Sequence, residues 1–160
     1  MLNIDDDQTM SSVRVLIAED FEPFRRFLCS VLRNETGSQI ICEVSDGLEA
    51  VHKAGELRPD LIFLGLGLPT LNGIEAARQI LRLAPESKIF FVSMESSIDV
   101  VEEAFRLGAW GYVVKTTAAS DLVAAVDAVL AGQRFASGTL DELHLNPMPD
   151  DAMVVPRLPS

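Results

Sequence analysis

Five short apolar runs, each followed by a segment of helical periodicity, constrain this chain more than any other feature of its sequence. VRVLIA (13–18), QIICEV (39–44), DLIFLG (60–65), KIFFVS (88–93) and WGYVVK (110–115) have the length of strands. VRVLIA reads as a buried strand and DLIFLG as an apolar one, and the other three runs also read as strands. Helix patterns follow over 21–34, about 48–58, about 72–84, 97–108, and from Ser120-Asp121 to about Ala131. Pro59 and Pro85 stop two of them, and Gly108 and Gly132 stop two others. Strand and helix in strict alternation imply an all-parallel sheet with helices on both faces, an α/β fold.

The repeat divides the chain into an arm over 1–12, a domain over 13–132 and a tail over 133–160. The arm is polar and carries Asp5-Asp6-Asp7; the tail carries Pro147, Pro149, Pro156 and Pro159 with little periodicity, and is expected to be extended or flexible. A net charge of −11 argues against nucleic-acid binding, since phosphate contacts need Lys and Arg. No apolar stretch reaches the roughly 18 residues of a membrane span. The N-terminus has no secretory pattern, so a cytoplasmic protein is expected. Cys29 and Cys42, isolated among apolar neighbours, read as reduced thiols, and His52 and His144 as solvated side chains without a second ligand.

Ligands of open parallel sheets bind beyond the carboxyl ends of the strands. Here those ends carry Glu19-Asp20, Gly65, Ser93 and Lys115. Two carboxylates, a hydroxyl and an ammonium suit a hard cation beside a phosphoryl group. A dinucleotide site would need G-x-G-x-x-G after the first strand, where Glu19-Asp20 would repel a pyrophosphate. The Gly65-Leu66-Gly67 turn follows the third strand instead and has Thr70 where a third glycine would stand. A small-molecule enzyme is not expected either, for want of a nucleophile–base pair.

VLIAED, SDGLEA (45–50), PDLIFLGLGLPTLNGIEA (59–76) and GAWGYVVK (108–115) together resemble the receiver domain of bacterial response regulators. Leu68-Pro69, Asn72-Gly73 and Glu75-Ala76 resemble the NarL/FixJ-type branch. The resemblance implies a doubly wound five-stranded parallel sheet of CheY-like, flavodoxin-like order 2-1-3-4-5. It implies that Glu19, Asp20 and the Gly67 carbonyl hold Mg2+, that Ser93 and Lys115 bind phosphoryl oxygens, and that Tyr112 is the aromatic switch. The family's phosphoaccepting aspartate aligns with Gly65, and glycine offers neither nucleophile nor metal ligand. Mg2+ is therefore expected to bind weakly or not at all. Asp60 lies at the far end of its strand, and Glu95 and Asp46 would need a loop to swing inward, so no substitute acceptor is expected.

Thr116 stands where many receivers have a proline, leaving the Lys115–Thr116 peptide open. The tail is too short for the helix-turn-helix domain of that branch. The resemblance thus implies a phosphorylation-independent receiver working by protein contact, with a sensor histidine kinase, another signalling protein or a second copy as partner. The alternative is a conventional aspartyl-phosphorylated receiver whose acceptor position has been altered to glycine. Trp110 and Tyr112 are expected on one side of the fifth strand, next to the helix over 97–108, as a docking face. Leu122, Val123, Val126, Val129 and Leu130 of the last helix are expected in the core.

Overall fold

The structure, a computed structural model, describes residues 12–137 and 153–154. The expectations for Asp5-Asp6-Asp7, His144 and the four tail prolines fall outside those residues. Five strands form where the apolar runs lie: β1 (Arg14–Ala18), β2 (Gln39–Val44), β3 (Leu61–Gly65), β4 (Lys88–Ser93) and β5 (Gly111–Val114). Each is followed by a helix: α1 (Glu22–Thr36), α2 (Gly47–Leu57), α3 (Gly73–Leu83), α4 (Ile98–Leu107) and α5 (Ala118–Leu130). All strand pairs are parallel.

Alternation along the strands builds two cores. Leu16, Ile62, Phe91 and Tyr112 face α2, α3 and α4. Ile17, Phe63, Phe90 and Val113 face α1 and α5. β1, β3, β4 and β5 are buried on both faces and so carry apolar residues at successive positions, whereas β2, at the edge of the sheet, buries only Val44. The helices start on side-chain caps where the sequence provides them: Asp46, Asn72 and Ser97 accept from the amides of Glu49, Glu75 and Val100.

Several expectations are corrected. The sheet has more than five strands: β6 (Arg134–Ala136) and the two-residue β7 (Met153–Val154) extend it to the order β2-β1-β3-β4-β5-β6-β7. Residues 134–136, placed in the tail by their sequence, belong to the sheet. Phe135 is buried in the α1/α5 core, and the Phe135 and Ser137 amides donate to the Trp110 and Tyr112 carbonyls. Three residues are too few to show a period, so this strand left no signal.

The last helix begins before Ser120. A 3-10 turn over Lys115–Thr117 runs into Ala118, and the Thr117 hydroxyl donates to Asp121 at 2.7 Å. At the other end of that helix Leu130 is exposed, while Ala118 and Ala125 take core positions.

Trp110 and Tyr112 do not share a face. Trp110 lies just before β5 and packs with the α1/α5 core, under Lys88 Nζ and the Arg134 guanidinium, each 4.4 Å from a Trp110 ring centroid. Tyr112 lies in the opposite core. The two-residue rule holds only inside a strand, and Trp110 stands outside it.

Candidate functional site

The ends of β1, β3, β4 and β5 bring Glu19, Gly65, Ser93 and Lys115 to one edge of the sheet, as the strand boundaries require. Register does the rest: Ala18 pairs with Leu64, Gly65 with Val92, and Ser93 with Val114. Glu19 therefore stands beside Gly65, and Lys115 follows immediately behind the residue opposite Ser93.

Adjacent carboxylates in the acidic pair have opposite fates. Asp20 is exposed, while Glu19 is 1% exposed. Glu19 Oε2 accepts from Lys115 Nζ at 3.0 Å and from the Phe21 amide at 2.9 Å. Glu19 Oε1 is buried without a hydrogen-bond partner. A Cβ added at Gly65 would stand 2.9 Å from that same oxygen, so the carboxylate fills the space a side chain at 65 would take. Lys115 is also covered by the Phe24 ring, 4.8 Å from its Nζ. Arg25 steadies the turn from α1 by donating to the Glu19 carbonyl at 2.8 Å.

The hydroxyl side of the site is engaged as well. Ser93 Oγ accepts from the Glu95 amide at 2.9 Å, and the Tyr112 hydroxyl donates to the Glu95 carbonyl at 2.7 Å. Tyr112 is fully buried. Together they tie the loop between β4 and α4 to the end of the sheet. Gly67, Ser93, Glu95 and Arg78 open onto a cleft of about 630 Å³ between α3 and α4.

Burial raises the Tyr112 phenol from 10.0 to about 12, partly offset by the Ser93 hydroxyl beside it. In the unfolded chain the phenol loses its proton near 10, and in the fold near 12, so between these values the unfolded state binds fewer protons. Stability from this group is complete below pH 10 and falls as pH rises toward 12. Tyr112 is the chain's one tyrosine, so tyrosinate absorbance reads it directly. The folded chain should titrate near 12, and a midpoint near 10 would place Tyr112 outside the core.

The residues implied for Mg2+ do not fit a divalent cation as they are arranged. Glu19 has spent one oxygen on an ammonium and an amide and turned the other into the space at Gly65, leaving Asp20 and the Gly67 carbonyl. Three ionisable or thiol groups at ligand spacing are absent among the described residues. Asp60 accepts from the Arg14 amide at the far end of the sheet, and Asp46 is engaged as the α2 cap. Glu95 is exposed. The residue that reaches the Gly65 space is Glu19, for which the resemblance implies a metal-binding role. The register of β1 on β3, which pairs Ala18 with Leu64, is what puts Glu19 beside Gly65. Phe24, over Lys115, left no signal in the sequence. The Lys115–Thr116 peptide is trans, since the described residues contain no cis bond.

The model of the response regulator receiver domain matches residues 15–127. Among curated relatives, the transcriptional regulatory protein PdtaR of Mycobacterium tuberculosis is 42% identical over 124 residues, covering 76% of this chain and 58% of the relative. The response regulator GacA of Pseudomonas viridiflava is 31% identical over 125 residues, covering 78% of this chain and 58% of the relative. The chain thus matches under two thirds of those relatives' length. The chemotaxis protein CheY of Thermotoga maritima is 34% identical over 116 residues, covering 72% of this chain and 96% of CheY. Among solved structures, a LuxR-family two-component response regulator from Aurantimonas superposes with TM-score 0.73 at 32% identity, covering 79% of this chain and 89% of its own. A parallel doubly wound sheet with its polar side chains at the strand ends, matched by that model over most of its length, makes this chain a member of the response regulator receiver family.

Proposed function

We propose that this receiver works by protein contact in one preset conformation, without aspartyl phosphorylation and without Mg2+. The observation that carries the reading is the end of β3: Gly65 stands at the position implied for the acceptor, and Glu19 fills the space beside it. The resemblance makes Tyr112 the switch residue. Here Tyr112 is already buried and bonded to Glu95, which supports a surface fixed in advance. Met94 and Ile98, exposed beside that loop, offer apolar contact to a protein partner. A histidine kinase, another signalling protein or a second copy is the partner class this chemistry favours. The charge of −11 favours protein over nucleic acid.

A second reading is favoured by the retention of Glu19, Asp20, Ser93 and Lys115 at the strand ends: a conventional phosphoaccepting receiver whose acceptor has been changed to glycine. Thermal melts with Mg2+ and a small phosphodonor test the first reading. An intact site with a dissociation constant on the order of 1 mM would gain about 1.4 kcal/mol from about 10 mM Mg2+. For a domain of this size that is a rise of roughly 3–6 °C. The chain is expected to shift by less than about 1 °C, whether or not the donor is present. A rise of several degrees would overturn the reading.

A further inference from the structure

We propose that Glu19 is an internal plug at the end of β3, occupying the space beside Gly65 that a side chain at position 65 would need and neutralising Lys115. Three observations converge on this carboxylate. Its Oε1 lies where a Cβ at 65 would collide with it, at 2.9 Å. Its Oε2 holds the Lys115 ammonium at 3.0 Å and the Phe21 amide at 2.9 Å. Its exposure is 1%, although Asp20 next to it lies in solvent.

A buried carboxylate oxygen without a partner is costly, and Glu19 Oε1 is such an oxygen. Turning out to water would satisfy it. The ion pair and the Phe21 bond must therefore outweigh that gain, and the carboxylate oxygen opposite them sits 2.9 Å from where a Cβ at 65 would stand. Lys115, backed by Phe24, in turn has its counter-ion from within the chain. Glycine at 65 and the inward Glu19 are thus coupled: a Cβ at 65 displaces Glu19 Oε1, and removing Glu19 opens space beside Gly65. Coupling of this kind is reciprocal and is measured by a double-mutant cycle. The inference deepens the reading of a preset receiver, and the two fail separately. A phosphoryl adduct on the unmodified chain would defeat that reading, whereas the plug is read from an amide.

The test is amide hydrogen exchange at Phe21 in the full chain, together with the stability of four proteins: the unmodified chain, Gly65→Ala, Glu19→Ala and the double variant. Phe21 has a 60% exposed side chain, and its amide proton is held by Glu19. In the unmodified chain that proton should exchange more than about 10-fold slower than in Glu19→Ala, the factor one charge-assisted bond confers. Gly65→Ala should abolish the protection although Glu19 is still present. The Gly65→Ala change should destabilise the unmodified chain and stabilise, or leave unchanged, the Glu19→Ala background, where the methyl enters the opened space. Protection at Phe21 that survives Gly65→Ala would overturn the proposal. So would an equal effect of Gly65→Ala in both backgrounds, and the stability cycle gives that answer for any variant pair that folds.

Discussion

Incubated with Mg2+ and acetyl phosphate, the chain is expected to keep its intact mass, while Gly65→Asp gains one phosphoryl group. Aspartyl phosphorylation needs a carboxylate at the pocket floor: one oxygen attacks phosphorus, the acyl–phosphate bond breaks, and acetate leaves with its electron pair. Glycine has no such oxygen. Glu19 does not serve instead, because one of its oxygens is held by Lys115 and Phe21 and the other is buried. An aspartate at 65 would push the Glu19 carboxylate out from beside its Cβ, and a carboxylate at the end of a flexible side chain yields readily. Lys115 would then meet the new aspartate, and Glu19 would stand with Asp20 at the mouth of the pocket. The adduct on Gly65→Asp should be lost in mild base, as acyl phosphates are. A stoichiometric adduct on the unmodified chain would defeat the proposed function. An unlabelled but folded Gly65→Asp would show that the remaining strand-end groups no longer form a working receiver site.

Gly47→Ala is expected to lower stability by about 3 kcal/mol or more, the upper range for forcing atoms into a packed interior. Gly47 opens α2, and the loop after β3 crosses directly over it. A Cβ there would land on the Leu71 carbonyl. The Gly47 amide donates to the Pro69 carbonyl at 3.2 Å, so the two backbones are also bonded at this crossing. Backbone meets backbone, and no rotamer relieves the clash. For a domain of this size the melting temperature should fall by roughly 6–12 °C. Circular dichroism melts measure it. A loss below about 1 kcal/mol would mean that the loop over Leu71 yields, contrary to the packing described.

Features set by neighbouring residues are legible in the sequence, and features set by distant residues are not. β2 and β4 fall where their apolar runs were read, and the other elements of the repeat within three residues of their readings. Each is specified by its own periodicity, proline or cap, which are local properties. Glu19, Asp20, Ser93 and Lys115 could be assigned to one edge for the same reason, since a parallel sheet gathers its carboxyl ends. β6 could not be read, because three residues acquire strand geometry only by pairing with β5. Trp110 was misplaced because the frame of alternation begins one residue later, at Gly111.

Local patterns along the chain specify the strands, the helices and the edge of the sheet at which Glu19, Gly65, Ser93 and Lys115 gather. Long-range packing sets which side chain lies beside Gly65. The direction of the Glu19 side chain depends on a missing Cβ on β3, on an ammonium 96 residues along the chain, and on the Phe24 ring that covers it. No pattern within one element encodes such a choice. A rotamer at a strand end is set by the free energies of the neighbours that the completed sheet brings to it.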